Sequence, residues 1–248
     1  MKQLLKKLID AQSTVEKGEL AAAKVIRDQF AKSGIVSVID RWEQTRANVT
    51  ATIKSSGEKK GILFACHLDV VGPGEEKWTH SPFNAVESCG RIYGRGAADM
   101  KGGIAAIVCA IKEIVDSGVK LKGDIVFAAT AGEETDSCGT KRFVRSFGKG
   151  EGKLAGVVIP EPTDFDVITA HRGLLWLEIV TAGKSAHGST PQLGINAISS
   201  MKMLLDELEH YKIKGRPHKL LGNCSMSVNT ILGGNAINVV PDKCSIGI

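Results

Sequence analysis

The chain has 248 residues, of which 43% are hydrophobic and 24% charged, with a formal charge of +5; this is the composition of an ordinary globular protein with a sizeable core. Its basic residues are scattered, with pairs at Lys6–Lys7 and Lys59–Lys60 but no long run, and aromatics are few. That excludes a nucleic-acid footprint in favour of a solvated surface. The longest apolar stretch, GGIAAIVCAI, falls far short of the roughly 20 residues needed to cross a bilayer, so no membrane partner is expected.

In chain order, MKQLLKKLIDAQ interrupts its apolar residues with Lys6, Lys7 and Asp10 at helical spacing, which predicts an amphipathic helix and not a signal peptide. A second helix follows, with Leu20, Ala23, Ile26 and Phe30 on one stripe and Gly34 as its stop. Asn48 to Lys54 alternates as a strand does, and SSGEKK makes the next turn. GILFACHLDVV is nearly continuous in apolar residues, the pattern of a strand buried on both faces. Gly72 to Gly96 is rich in Gly and Pro and reads as a long functional loop. A helix from about Lys101 to Ser117, a strand DIVFAAT ending in AGEET, a helix near Gly139–Phe147 and a strand AGVVIPEPT complete this part. Strands alternating with helices predict an α/β domain on a mainly parallel sheet, assigned to residues 1–172.

The character changes after Arg172. GLLWLEIVTAG reads as a strand, Asn196–Tyr211 as an amphipathic helix, and CSMSVNTILGG and KCSIGI as two further strands. This β-α-β-β order predicts an inserted, smaller α+β domain over residues 173–248. Cys244, Ile246 and Ile248 alternate up to the last residue, as in a strand cut in mid-pattern, so a fragment of a longer chain is expected. The six cysteines form no C-x-x-C pair, and several sit in apolar runs; a reducing, cytoplasmic compartment fits them better than secretion.

Three of the apolar strands run into acids or histidine at their C-terminal ends: His67-Leu68-Asp69, Glu133-Glu134 and Glu161. Asp99, in GRGAADMKGG ahead of the long helix, is placed to reach the same rim. In open α/β sheets ligands gather at the carboxyl ends of strands. One such acid alone is a surface charge; several on consecutive strand ends repel one another unless a cation sits among them. No Arg or Lys at these strand ends offers itself, whereas imidazole nitrogen with carboxylate oxygens suits Zn²⁺ or a similar first-row ion. Residues i and i+2 of a strand share a face, so Asp69 orients His67 directly through its carboxylate or acts from longer range. The same alternation turns Cys66 away from that face, into packing. The glycines of GRGAADMKGG lack the G-x-G-x-x-G spacing of a phosphate loop, and Asp99 would oppose a phosphate there.

FACHLDVVGPG, then Trp78–Phe83 as W-x-x-S-P-F, GRGAADMKGG, AGEET and PEPT follow in order, and the chain thereby resembles the M20 metallopeptidase/deacylase family. Its members include acetylornithine deacetylases, succinyl-diaminopimelate desuccinylases, aminoacylases and carboxypeptidases. The resemblance implies that His67 and Glu161 bind one metal and Glu134 another, with Asp99 bridging, Asp69 orienting His67 and Glu133 as general base. It implies two Zn²⁺ per complete subunit, with Co²⁺ or Mn²⁺ as substitutes. His187, in AGKSAHGSTP, corresponds to the lid histidine that serves a partner subunit's site, and Asn238, in GGNAINVVPD, to a substrate-contacting asparagine. The implied protein is a homodimer through its small domain that hydrolyses the amide bond of an N-acyl amino acid. Alternatives are a di- or tripeptidase or carboxypeptidase, and a non-catalytic metal-binding, dimerising fragment. The family's last metal ligand is a histidine in a returning C-terminal segment, so the second metal site is expected to be incomplete here. His171 is expected at a hinge, and His80 and His218 on the surface.

Overall fold

In the computed structural model, which describes residues 1–147 and 154–248, the chain opens with helices α1 (Lys2–Asp10) and α2 (Leu20–Ala31). In α2 the fully buried Ala22, Ala23, Ile26 and Phe30 recur at the helical period and form one stripe. The chain leaves it through Gly34, whose φ of +67° is the left-handed conformation that ends many helices. Strands β1 (Ser37–Trp42) and β2 (Arg46–Ile53) come next, then β3 (Gly61–His67). The Gly- and Pro-rich stretch after β3 holds a small hairpin of β4 (Val86–Ser88) and β5 (Arg91–Tyr93). Helix α3 (Gly102–Asp116), strand β6 (Ile125–Thr130), helix α4 (Cys138–Phe147) and strand β7 (Leu154–Val158) follow.

Five of these strands form one sheet in the order β1-β2-β6-β3-β7. β3 lies parallel to both β6 and β7, so parallel pairing holds for the strands that lead into the acids. The sheet is nonetheless mixed, because β2 meets both β1 and β6 antiparallel. A turn of only Glu43–Thr45 joins β1 to β2, and so short a link permits only a hairpin. β1 itself is not expected from the sequence: SVIDRW carries Asp40 and Arg41, and Val38 is 60% exposed, as befits an edge strand.

β6 is central, and all six of its residues are buried, which is why it reads as an unbroken apolar run. On one face α1, α2 and α3 supply Leu8, Ile26, Phe30, Ile104, Val108 and Ile111 to the main core, and Phe30 meets Phe127 edge to face with centroids 5.3 Å apart. On the other, Phe143 of α4 packs against Leu63, Val126 and Ala128. Helices on both faces of a sheet make this an α/β layer structure.

Residues Met1–Phe165 form one compact unit and Asp166–Ile248 a second. The second unit carries β8 (Glu178–Ala182), α5 (Ala197–His210), β9 (Thr230–Gly233) and β10 (Lys243–Gly247). Its sheet has the order β8-β10-β9, antiparallel throughout. α5 is capped at its start by the Asn196 side chain, which accepts from the amides of Ile198 and Ser199. Ala197 and Met201 of α5 pack on Cys244 and Ile246 of β10. β8 is shorter than the run GLLWLEIVTAG suggests: Leu174, Leu175 and Trp176 precede it and are exposed. No helix among the described residues is long and apolar enough to cross a membrane.

Candidate metal centre

Parallel pairing brings the C-terminal ends of β3, β6 and β7 to one edge of the sheet. β3 ends on His67, β6 runs on through Ala131-Gly132 to Glu133-Glu134, and Glu161 follows β7 between Pro160 and Pro162. Asp99 arrives from a separate turn over Ala97–Lys101, ahead of α3. Two glycines permit that approach. Gly96 has φ +80°, and a Cβ there would lie 2.6 Å from Val70 Cγ1. A Cβ on Gly103 would lie 2.6 Å from the Pro160 carbonyl oxygen, so only glycine lets α3 begin this close to the Glu161 segment.

The structure brings His67, Asp99, Glu133, Glu134 and Glu161 together. Ligand atoms of His67, Asp99 and Glu161 all lie within 4.8 Å of one another, as do those of His67, Glu133 and Glu134. His67 Nε2 is 3.1 Å from Asp99 Oδ1 and 3.8 Å from Glu161 Oε1. Ligands at about 2.0–2.2 Å around a tetrahedral ion stand about 3.3–3.6 Å apart, so these separations fit a single first-row cation. The ring is 3% exposed, whereas the Asp99 side chain is 53% exposed; the site is floored by the sheet and open above.

The other imidazole nitrogen fixes the ring's chemistry. His67 Nδ1 lies 2.9 Å from the Asp69 carbonyl oxygen, so it carries a proton and donates, which leaves Nε2 to face the acids. The Asp69 carboxylate sits farther off, 3.7 Å from Nδ1, and is taken up elsewhere. It accepts the backbone N–H of Glu133 (3.1 Å) and of Glu134 (2.9 Å). Asp69 therefore positions the histidine with its main chain and the acid pair with its side chain.

The charges bear the mark of a cation site. Burial opposes a charge on His67, but Asp69, Glu161 and Asp99 outweigh it and hold the ring up at about 9. Burial, then the nearby Asp99 and Glu133, push Glu161 up to about 7 against the pull of His67. Glu134 is raised as well, by burial first and then by Asp99, Glu133 and Asp69. Asp69 is lowered despite its burial, because His67 and the two amides favour the carboxylate. Protons thus occupy the place where a divalent ion would supply positive charge. One nitrogen and several carboxylate oxygens fit Zn²⁺, with Mn²⁺ or Co²⁺ acceptable to the same set.

Sequence reasoning missed the groups beneath these ligands. Asn48 of β2 is buried; its Oδ1 accepts the Ala131 N–H and its Nδ2 donates to the Gly139 carbonyl, pinning both ends of the Glu133–Glu134 loop. The buried Ser13 hydroxyl donates to the Leu68 carbonyl, while Ser13's own carbonyl accepts the Val70 N–H. Lys101 is 1% exposed, with Nζ 2.8 Å from the Leu8 carbonyl oxygen, and burial lowers it to about 8 against the attraction of Asp69 and Asp10. Asn48, a polar residue inside an alternating strand, gave the available signal; Ser13 and Lys101 gave none, because their partners lie far away in sequence.

Cys66 packs into the main core, where burial pushes its thiol up to about 12. His80 stacks on Tyr93 with centroids 4.6 Å apart, and His171 and His218 are exposed. In the second unit His187 is exposed, and its backbone bridges Val239, with the Gly188 N–H donating to the Asn238 carbonyl. His187 and Asn238 are therefore neighbours. The Ser189 N–H points at His187 Nδ1 from 3.2 Å, so Nδ1 accepts and Nε2 is the ring nitrogen left to donate.

The sequence pattern of Peptidase family M20/M25/M40 matches residues 63–234, which contain every residue of this cluster. A probable succinyl-diaminopimelate desuccinylase of Staphylococcus aureus (strain Mu50 / ATCC 700699) is 36% identical, over 98% of this chain and 66% of its own length. An acetylornithine deacetylase of Buchnera aphidicola subsp. Schizaphis graminum is 37% identical, over 76% of this chain and 49% of its own. The chain thus spans less than two thirds of the length of these curated relatives. In fold it is similar to an M20 family metallo-carboxypeptidase from Sulfolobus solfataricus, with a TM-score of 0.74 at 18% identity over 99% of this chain and 69% of that one. Motif order, ligand geometry and the matched pattern agree: the chain belongs to peptidase family M20/M25/M40.

Proposed function

We propose that this chain carries the metal-binding catalytic domain (residues 1–172) and the lid and dimerisation domain (173–248) of a two-metal amide hydrolase acting on N-acyl amino acids. The observation that carries this reading is the convergence of one histidine and four carboxylates at the carboxyl edge of parallel strands. The names of the relatives, a desuccinylase and a deacetylase, support an acyl amino acid as the substrate.

In this reading His67, Asp99 and Glu161 would hold one divalent ion, and Glu134 together with Asp99 would help to hold a second. Such ions, when bound, would supply Lewis-acid chemistry: polarisation of an amide carbonyl and a lowered pKa for water. Glu133 is the proton carrier. Its backbone is tied to Asp69 by its N–H, and its exposed carboxylate stays within 4.8 Å of the ligand atoms of His67 and Glu134, placed to accept the proton of the attacking water. It then delivers that proton to the leaving amine nitrogen. His187 serves the site of a partner subunit, donating from Nε2–H to the carbonyl oxygen as negative charge grows there, and Asn238 beside it contacts the substrate. The products are a carboxylate and a free amine.

The test is hydrolysis of N-acetyl and N-succinyl amino acids by the zinc-loaded protein at the full length of its relatives, read as release of free amine, with Glu133→Gln in parallel. The glutamine keeps the shape but cannot take a proton, so turnover is expected to vanish while metal content stays. Loss of metal together with activity would make Glu133 a ligand; full activity in the variant would end the proposal.

A further inference from the structure

The two turns that bring His67 and Asp99 to the site come from opposite sides of a glycine-rich loop, yet both are fastened to the same place. α1 ends irregularly: the Ala11 N–H goes to Lys7 and the Gln12 N–H to Ile9, and among the described residues no main-chain N–H reaches the Leu8 carbonyl. Lys101 Nζ supplies one from 2.8 Å. An ammonium suits that spot, because the carbonyl end of a helix carries partial negative charge. It does not suit Lys101's own helix, since Lys101 stands at the N-terminus of α3, where a cation is disfavoured. The buried charge therefore makes sense as a link to α1 more than as a feature of α3.

Immediately after α1, Ser13 is fully buried and grips the other turn from both sides. Its hydroxyl donates to the carbonyl of Leu68, and its carbonyl accepts the N–H of Val70, so Asp69 is clamped between the two bonds. Lys101 meanwhile stands two residues beyond Asp99, its N–H bonded to the Gly96 carbonyl.

We infer that Lys101 and Ser13 are positioning residues of the metal centre, and that the end of α1 is the common anchor that sets the His67–Asp69 turn and the Asp99 turn in register. The inference rests on the metal-centre reading above. Neither residue touches the ion; each acts by fixing where a ligand stands, and outer groups of this sort affect metal affinity by about 10–100-fold.

The experiment follows Co²⁺ binding by visible absorption, which reports ligand geometry, and Zn²⁺ affinity by competition with a chromophoric chelator. The proteins are the unaltered chain, Lys101→Met, Ser13→Ala, the double variant, and Ile111→Val as a core control remote from the turns. Lys101→Met keeps the stem and removes the ammonium. Weakening of Zn²⁺ binding by about 10–100-fold with a displaced Co²⁺ spectrum is expected for it, and about tenfold for Ser13→Ala. Because both act through one anchor, the double variant should lose less than the product of the two. The control should bind as the unaltered chain does. Should Lys101→Met fail to fold, Ser13→Ala decides by the same criterion. Affinity and spectrum unchanged within about twofold, or an equal loss in Ile111→Val, would overturn the inference. Failure of the unaltered chain to bind either ion would instead overturn the metal reading beneath it.

Discussion

Asp69→Asn isolates the part of the site that holds its two halves together. The Asp69 carboxylate is 1% exposed and accepts two amide hydrogens, from Glu133 and Glu134, at 3.1 and 2.9 Å. An asparagine keeps one accepting oxygen and turns an NH₂ donor toward the other N–H. One charge-assisted bond is lost, at about 1.5–3 kcal/mol, and a buried N–H is left facing a donor, at about 1–3 kcal/mol. Relief from burying a charge offsets part of this, so a net loss of about 2–4 kcal/mol is expected. Urea unfolding of the metal-free protein measures it through the fluorescence of Trp42 and Trp78, in a Trp176→Phe background because Trp176 belongs to the other compact unit. The acid dependence adds a second reading. Burial works against the Asp69 charge, but His67 and the two amides hold its carboxyl below the ordinary 3.8. Its contribution is therefore present above that value and lost as pH falls through the lowered one, so the two proteins should converge only in strong acid. Zinc affinity should fall by about 10–100-fold as Glu134 loses its tether. A stability difference under about 0.5 kcal/mol with unchanged zinc affinity would refute the assigned role.

Three further outcomes are expected. Both candidate ligand groups share His67, and with Nδ1 committed to Asp69 that ring can serve one ion only; dialysed protein should retain close to one tightly held divalent ion per chain by mass spectrometry. Retention of no ion under non-chelating conditions would contradict the ligand assignment. Without metal, His67 and Glu161 sit above their ordinary 6.5 and 4.5, at about 9 and about 7, so the folded state holds their protons more tightly and stability should fall as pH rises from about 4.5 to 8. Lys101, lowered to about 8, works the other way above that point, and stabilisation by zinc should grow over the same range; melting scans with chelator and with zinc check both signs. Finally, in the protein at the full length of its relatives, His187→Ala should leave metal content intact while lowering kcat on N-acyl amino acids by about 10²–10³-fold, the scale for losing one oxyanion donor; steady-state kinetics decide, and an unchanged kcat would remove His187 from the mechanism.

Glu133 and Glu134 were legible because they follow a buried strand whose apolar run is unmistakable, IVFAAT before AGEET; Glu161 follows a run that is apolar in sequence but largely exposed, and Asp99 was legible only from its glycine-rich turn ahead of α3. β1 was not, since SVIDRW is an edge strand whose polar residues face water and whose existence depends on the hairpin with β2. The three-residue strands β4 and β5 are too short to impose a period. Spacing showed that Asp69 and His67 share a face but not which oxygen of Asp69 the ring would meet; the carbonyl takes it because the carboxylate is drawn to the amides of Glu133 and Glu134. Asn48, Ser13 and Lys101 stayed hidden for a common reason. Each answers a main-chain group dozens of residues away, and no local pattern encodes such a partner.

Strand order also governs when this site can exist during synthesis. β3 emerges from the ribosome well before β6 and β7, yet these are its two neighbours in the sheet. Until Ile125–Thr130 has been made, β3 has neither flanking partner and His67 has no floor beneath it. Glu133, Glu134 and Glu161 come later still. A nascent chain that stops short of β6 thus offers a metal only His67 and Asp99, on segments not yet paired, and holding the ion becomes a late event that reports on a finished sheet. Without a divalent ion this chain should accordingly accumulate folded, not stalled as an unfolded precursor.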